Sequence, residues 1–119
     1  MKVKDQVHDA NYSIYNSDCM DVVSELPANS IDLVIYSPPF CGLYNYSSDH
    51  RDFSNCESRD QFIQQYEFLI SELARATKPG RINAVHVEDI HDNTGRLWDF
   101  PGEVIRIHEK HGFEYHNRI

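Results

Sequence analysis

The sequence predicts an α/β fold with a mainly parallel sheet, because strand and helix patterns alternate along its 119 residues. The strongest strand pattern is Ile31–Tyr36, which is β-branched and almost continuously apolar, as in a strand covered on both faces. The strongest helix pattern follows Ser58, where one apolar stripe contains Phe62, Ile63, Tyr66, Leu69, Ile70 and Leu73. A chain of this length is expected to form a single domain, residues 1–119.

Two short elements are predicted before the strong strand. Tyr12–Tyr15 alternates weakly between apolar and polar residues and is followed by a polar turn, which indicates a short strand. Met20–Leu26 carries apolar residues at helical spacing, and Pro27 is expected to end that helix.

A long loop and the main helix are predicted after the strong strand. Cys41–Glu57 is rich in Ser, Asn, Asp and Tyr and has no sustained period, which is typical of a functional or disordered loop. Ser58 can cap the helix that follows, with Gln61 in the reciprocal capping-box position. Residues 78–80, Lys-Pro-Gly, are expected to end it.

The last third of the chain continues the alternation. Ile82–Val87 is a second candidate strand, and the polar stretch Glu88–Asp99 is expected to be a loop. Pro101 suits the first turn of a second helix, and Gly112 is placed to close it. Phe113–Ile119 is predicted to begin a further strand.

Composition narrows the function classes. The 40% hydrophobic content is that of a globular protein, and no apolar run approaches the ~18 residues of a membrane span, so a cytoplasmic protein without membrane association is expected. The chain has three cysteines, and no two of them have Cys-x-x-Cys spacing: Cys19, Cys41 and Cys56. This favours reduced thiols over a disulfide framework or a zinc ribbon. The formal net charge of -8 opposes binding of nucleic-acid phosphates by this chain alone.

One tetrapeptide, Ser37-Pro38-Pro39-Phe40, directly follows the strongest predicted strand. In open α/β sheets, ligands bind beyond the carboxyl ends of the strands. The two prolines fix two φ angles and remove two backbone donors, so the turn is rigid and presents carbonyl acceptors. With the Ser37 hydroxyl and the Phe40 ring, it could hold an exocyclic amine by its hydrogens while the base stacks on the ring.

A strand that ends in Ser-Pro-Pro-aromatic resembles the catalytic motif of DNA amino-methyltransferases, which act on the exocyclic amine of cytosine or adenine. Flanking segments resemble that family in the same order. They are the polar residues 16–23, the approach to the strand at 26–34, the helix and Lys-Pro-Gly turn at 68–80, and Gly112-Phe113. The matches cover nearly the whole chain, and a serine in the first motif position is more typical of the cytosine type.

The resemblance implies a Rossmann-like methyltransferase core that uses S-adenosyl-L-methionine (AdoMet) as cofactor and DNA as partner, with the target base flipped out. Ser37 and the Pro38 carbonyl would hold the target amine, Pro39 would stiffen the turn, and Phe40 would stack on the base. Asp18 matches a family acid that contacts the adenosine part of AdoMet. The expected cofactor-binding residues are therefore Asp18 and Ser37, although an acid in the place of Asp18 could equally cap a helix.

The resemblance also implies segments that this chain lacks. In the permuted order of the family, a glycine-rich AdoMet loop of the aromatic-x-Gly-x-Gly type follows the region present here. None of the five glycines forms that loop, Arg81 stands where a second glycine is common, and no separate target-recognition segment is visible. We therefore expect the catalytic-motif half of the fold, with little activity by itself.

Three alternatives remain at the level of sequence. The chain could be a non-catalytic remnant or binding module with a methyltransferase-like fold. Tyr44 and Tyr46 could stack on nucleic acid or pin the long loop to the core. Metal ligands could come from His86, Glu88, Asp89 and His91, or from His108 and His111, but lone histidines usually make ordinary hydrogen bonds, so no metal site is expected.

Overall fold

The computed structural model describes residues 3–39, 59–91 and 94–119. Its elements are β1 (Asp5–His8), β2 (Ser13–Asn16), α1 (Cys19–Val23), β3 (Ile31–Tyr36), α2 (Arg59–Ala76), β4 (Thr77–Val85), β5 (Ile90–His91), β6 (Leu97–Trp98) and α3 (Phe100–Lys110). The strands β3 and β4 form a parallel pair, whereas β1–β2 and β5–β6 are antiparallel hairpins. The predicted α/β class is confirmed, and β3 has the predicted bounds.

The core lies between α2, α3 and the β5–β6 hairpin and is rich in aromatic side chains. Its buried members are Phe62, Tyr66, Leu69, Ile70, Leu73, Ile90, Trp98, Phe100, Val104 and Ile107. The Phe62 ring stacks on that of Tyr66 and meets those of Trp98 and Phe100 edge-on. The predicted apolar stripe of α2 is therefore the stripe that builds the core, and Ile63 packs against it partly buried.

The turn between α2 and β4 differs from the prediction. Lys78-Pro79-Gly80 does not follow a helix end as a separate turn, because α2 ends at Ala76 and these residues lie inside β4. The pairing with β3 is irregular there, moving from Ile31↔Thr77 to Leu33↔Ile82. Such a bulge tolerates a proline without N–H, and Gly80 supplies its positive φ of 78°.

The segment predicted as the loop Glu88–Asp99 contains the β5–β6 hairpin. Ile90 pairs with Trp98, and both side chains are buried in the core. The prediction was wrong here because each strand has only two residues, which is too short for a periodic pattern.

The helix α3 has the predicted ends. Asp99 caps its start by accepting a hydrogen bond from the Gly102 N–H at 2.9 Å, and Pro101 lies in the first turn. At the other end the Gly112 N–H donates to the Glu109 carbonyl and the Phe113 N–H donates to the His108 carbonyl, both at 3.1 Å. With Gly112 at a φ of 95°, this is the Schellman arrangement that ends many helices.

The strand predicted at Phe113–Ile119 is wrong, because this segment has no regular structure and no described strand lies beside it to complete a ladder. The strand predicted at Tyr12–Tyr15 is found one residue later as β2, paired with β1. All eight residues of that hairpin are exposed. Within the described ranges, no helix is long and apolar enough to cross a membrane.

Candidate functional site

The carboxyl ends of the parallel strands β3 and β4 lie side by side. Their last pair in register is Tyr36 with Val85, and the His86 N–H donates to the Tyr36 carbonyl at 2.9 Å. One residue further, the Ser37 hydroxyl donates to the His86 carbonyl at 3.0 Å. The predicted motif therefore begins at the carboxyl edge of the sheet, with its serine tied to the neighbouring strand.

The motif residues differ in exposure. Ser37 is exposed, Pro38 is buried and Pro39 is partly buried, so Pro38 seats the turn while Ser37 faces outward. Phe40, the long loop with Tyr44 and Tyr46, and two of the cysteines lie outside the described residues. The predicted helix cap Ser58 lies outside them as well. The third cysteine, Cys19, is exposed.

A buried tyrosine pair supports the end of β3. The Tyr36 and Tyr66 hydroxyls share a hydrogen bond of 2.5 Å, and Tyr66 is fully buried on α2. Burial is the largest cause that raises the pKa of both phenols, so both stay protonated. Because Tyr36 immediately precedes Ser37, this contact ties the motif to the core.

Asp18 lies at the start of α1, and its carboxylate accepts a hydrogen bond from the Met20 N–H at 2.8 Å. It is the N-cap of that helix, as one of its two predicted roles required. Met20 and Val23 of the same helix pack partly buried against the core, as Tyr36 of β3 does. The hydroxyl oxygen of Ser17, which precedes Asp18, is buried, with no hydrogen-bond partner among the described residues.

Arg75 of α2 supports the connection from α1 to β3. Its guanidinium donates to the carbonyls of Leu26, Val23 and Ser24 at 2.7, 3.1 and 3.2 Å. The same side chain pairs with Glu72 at 2.8 Å. The Val23 carbonyl also accepts from the Leu26 N–H, so Arg75 adds a second donor there and supplies donors to the Ser24 and Leu26 carbonyls just after α1 ends.

The histidines considered as metal ligands have other surroundings. Over residues 3–39, 59–91 and 94–119, no group of three or more His, Cys, Asp or Glu side chains converges on one point. His108 is buried, and its Nδ1 lies 2.7 Å from the Val104 carbonyl, so that nitrogen donates. Its ring packs on those of Tyr66 and Phe113 as part of the core.

The contribution of His86 to the site is its backbone carbonyl, which the sequence analysis missed. The signal was present, since His86 lies near the end of the second predicted strand, Ile82–Val87, and Ser37 directly follows the first, Ile31–Tyr36. Only the register of β3 against β4 decides which backbone group faces the Ser37 hydroxyl.

Comparison with known proteins identifies the fold to which these elements belong. No family model matches the chain. Over 66 residues it is 30% identical to the type II methyltransferase M.BglII of Bacillus subtilis, covering 56% of this chain and 16% of that protein. TTHA0409 of Thermus thermophilus, assigned as a DNA modification methylase, superposes with a TM-score of 0.67 and 21% identity over 84% of this chain and 38% of its own. The chain has a DNA methylase fold.

A second structure of TTHA0409, complexed with S-adenosyl-L-methionine, superposes with a TM-score of 0.62 and 20% identity over 82% of this chain and 39% of its own. The predicted resemblance to DNA methyltransferases and the predicted Rossmann-like class are confirmed. The methylase fold of this chain spans less than two fifths of TTHA0409.

Proposed function

We propose that the protein transfers a methyl group from AdoMet to the exocyclic amine of a cytosine or adenine in DNA. Residues 1–119 would act as one domain that supplies the catalytic-motif part of the enzyme. The observation that carries this proposal is the turn Ser37-Pro38-Pro39 at the carboxyl edge of β3, with the Ser37 hydroxyl donated to the His86 carbonyl.

That hydrogen bond leaves the Ser37 side chain, Pro38 and Pro39 with acceptors only. The single hydroxyl hydrogen of Ser37 is used on His86, so the Ser37 oxygen can serve a ligand only through its lone pairs. Pro38 and Pro39 have no backbone N–H. An incoming group that carries hydrogens is therefore favoured over one that carries lone pairs.

Base chemistry makes this a selective arrangement. The exocyclic amines of cytosine and adenine donate two hydrogens, whereas O4 of thymine and O6 of guanine are acceptors. These acceptors would hold the cytosine and adenine amines and repel thymine O4 and guanine O6, which occupy the corresponding ring positions. Two N–H groups held by the Ser37 oxygen and the Pro38 carbonyl would also turn the nitrogen lone pair away from the protein and toward the methyl donor.

The cofactor proposal concerns the start of α1. AdoMet, when bound, supplies an electrophilic methyl group. Asp18 is proposed to accept from the adenosine part, although capping α1 uses the same carboxylate. Ser37 is proposed to border the cofactor at the target amine.

The DNA proposal needs more than this chain. A target base must leave the stack to reach a turn of this kind, and Phe40 is proposed from the motif to stack on it. The net charge of -8 opposes phosphate contacts, so we expect weak DNA binding by residues 1–119 alone. The basic surface would come from the part of a methylase that this chain does not match.

The test is product analysis with the protein expressed from its complete gene. Duplex DNA is incubated with labelled AdoMet, digested to nucleosides and analysed by mass spectrometry. We expect N4-methylcytosine or N6-methyladenine, and residues 1–119 alone should give little of either. If 5-methylcytosine is the product, the acceptor-turn argument is wrong.

A second candidate is a non-catalytic module that keeps the methylase fold, which the small share of TTHA0409 that is matched favours. Calorimetric titration of the same protein with AdoMet separates the two. Stoichiometric binding together with methylated product supports the enzyme, whereas binding of neither AdoMet nor DNA supports the module.

A further inference from the structure

The parallel ladder between β3 and β4 loses one backbone hydrogen bond where the two strands end. In such a ladder the bonds are evenly spaced, and a residue that donates to one residue of the neighbouring strand accepts from the residue two positions further along. The His86 N–H donates to the Tyr36 carbonyl at 2.9 Å, so the N–H of residue 38 would be the regular donor to the His86 carbonyl. Residue 38 is a proline without an N–H, so the regular bond cannot form.

The Ser37 hydroxyl takes the place of the missing backbone donor. It donates to the His86 carbonyl at 3.0 Å, which is an ordinary hydrogen-bond length. Pro38 is buried whereas Ser37 is exposed, so the turn is seated with the serine at its outer surface. A serine hydroxyl therefore completes a backbone ladder, and the covalent structure of the next residue is the reason.

The missing N–H also decides how Ser37 can meet a ligand. A hydroxyl has one hydrogen and two lone pairs, and its hydrogen rotates toward the available acceptor. Without a donor at residue 38, the His86 carbonyl holds that hydrogen, and the lone pairs of Ser37 are left for a ligand. A residue with an N–H at position 38 would satisfy the carbonyl through the backbone. The Ser37 hydroxyl would then be free to rotate and to donate to a ligand.

We infer that Pro38 is a specificity-determining residue that acts through Ser37. By lacking an N–H, it keeps the Ser37 hydroxyl as an acceptor, so the turn rejects a base that has an oxygen in place of the target amine. This inference rests on the proposed function, in which the Ser37 oxygen meets that amine. It is separate from the role proposed for the Pro38 carbonyl, which a residue of any type could supply.

The test restores a donor at residue 38 in the protein expressed from its complete gene. Pro38→Val is the main variant, because valine has a similar volume for this buried position and favours the extended backbone required before Pro39. Pro38→Ala is the second variant and carries the same N–H on a smaller side chain. Ser37→Ala and the double variant Ser37→Ala/Pro38→Val complete a double-mutant cycle. Fluorescence of Trp98, the single tryptophan, confirms that each variant keeps its core.

Nuclear magnetic resonance of the isotope-labelled proteins observes the hydrogen bond directly. The correlation from the Val87 amide gives the carbonyl carbon shift of His86, and a coupling across the hydrogen bond identifies a backbone donor. We expect such a coupling from the N–H of residue 38 in both Pro38 variants. Ser37→Ala should change the His86 carbonyl shift in the parental protein and leave it unchanged in the Pro38→Val background. Pro39→Ala is the control and should keep the parental shift, because the ladder assigns residue 39 no acceptor on β4.

Base preference measures the consequence for specificity. Duplexes contain the methylated sequence found by product analysis, with the target base either kept or exchanged for its carbonyl counterpart, uracil for cytosine or hypoxanthine for adenine. Affinities are measured by mobility shift with an unreactive AdoMet analogue, and comparison with the parental protein on the same duplexes cancels the cost of base flipping. We expect the preference for the amine-bearing base to fall about fivefold or more in Pro38→Val, the effect of one hydrogen bond. In the Ser37→Ala background the same substitution should change it by less than about twofold.

The outcomes distinguish failure of this inference from failure of the proposed function. If residue 38 shows no coupling, or if Ser37→Ala changes the His86 carbonyl shift equally in both backgrounds, the inference is overturned whether or not the protein methylates DNA. An unchanged base preference in Pro38→Val, or an equal loss in the Ser37→Ala background, overturns the role of Pro38 in specificity while the methylated product still supports the proposed function. Absence of any methylated base from the parental protein contradicts the proposed function, and the role in specificity falls with it.

Discussion

The α2–α3 core and the carboxyl edge of the β3–β4 sheet differ in the burial and the contacts of their side chains. In the core, Phe62, Tyr66 and Phe100 are fully buried among aromatic neighbours. At the edge, Ser37 is exposed and its hydroxyl makes a hydrogen bond to one backbone carbonyl. The Tyr36–Tyr66 hydrogen bond is a direct link between them. The residues that build the core are thus different from those of the proposed chemistry, and substitutions should affect stability and reaction separately.

The largest effect is expected in the core. Phe62→Ala should lower the free energy of unfolding by ~3–5 kcal/mol, because it leaves a cavity among three aromatic rings. Urea denaturation followed by Trp98 fluorescence measures it. Phe68→Ala is the control, since Phe68 is 67% exposed on the same helix and should cost well under 1 kcal/mol. Equal losses would mean that Phe62 is not the centre of the core.

A smaller loss is expected where the core supports the approach to β3. Arg75→Leu should destabilise by about 2 kcal/mol, because three carbonyls lose a charged donor. Arg106→Leu is the matched control: Arg106 makes a solvent-screened surface pair with Glu103, so its loss should change stability far less. Denaturation curves of both variants measure the free energy of unfolding. A similar decrease in the two variants would contradict the structural role assigned to Arg75.

At the edge, Ser37→Ala should act on the reaction instead of stability. Loss of one neutral hydrogen bond is worth ~1 kcal/mol, so single-turnover methylation should slow about fivefold or more. The melting temperature should fall only slightly, because the lost hydrogen bond to His86 is exposed, and AdoMet affinity should change less than the rate. Ser71→Ala is the control, because it removes a hydroxyl that also donates to a backbone carbonyl but is remote from the site. It should leave both the methylation rate and AdoMet affinity at the parental values. If the Ser37→Ala variant methylates DNA at the parental rate, the motif has a structural role and not a catalytic one.

The smallest effect concerns pH. Burial lowers the pKa of His108 below its ordinary value, against a smaller opposing effect of its hydrogen bond to Val104. As the pH falls, His108 is protonated in the unfolded chain before it is protonated in the folded one. The stability contributed by burying neutral His108 is therefore fully present above pH ~6.5 and is lost as the pH falls below that value. Thermal melts at pH 7.5 and 5.5 should show a decrease that is smaller in His108→Leu. His116→Gln, in the exposed final segment, should keep the parental decrease.

Local pattern was sufficient for much of the fold. The β-branched run of β3, the apolar stripe of α2 and the proline and glycine at the ends of α3 each depend on neighbours in sequence. The β5–β6 hairpin and the bulge at Gly80 escaped prediction, because each exists only through pairing with another segment. The strand prediction for the final segment was wrong for the converse reason, since a strand pattern without a neighbouring described strand forms no ladder.

The candidate site divides in the same way. Residue types determined that an acceptor-rich turn follows an apolar strand, because prolines lack a backbone N–H wherever they stand. Tertiary structure decided that the Ser37 hydroxyl donates to His86 and that Tyr66 holds Tyr36, whereas the Asp18 cap of α1 is a local contact. Each of the first two joins residues more than 25 positions apart, and a distance of that kind is fixed only when helices and strands pack.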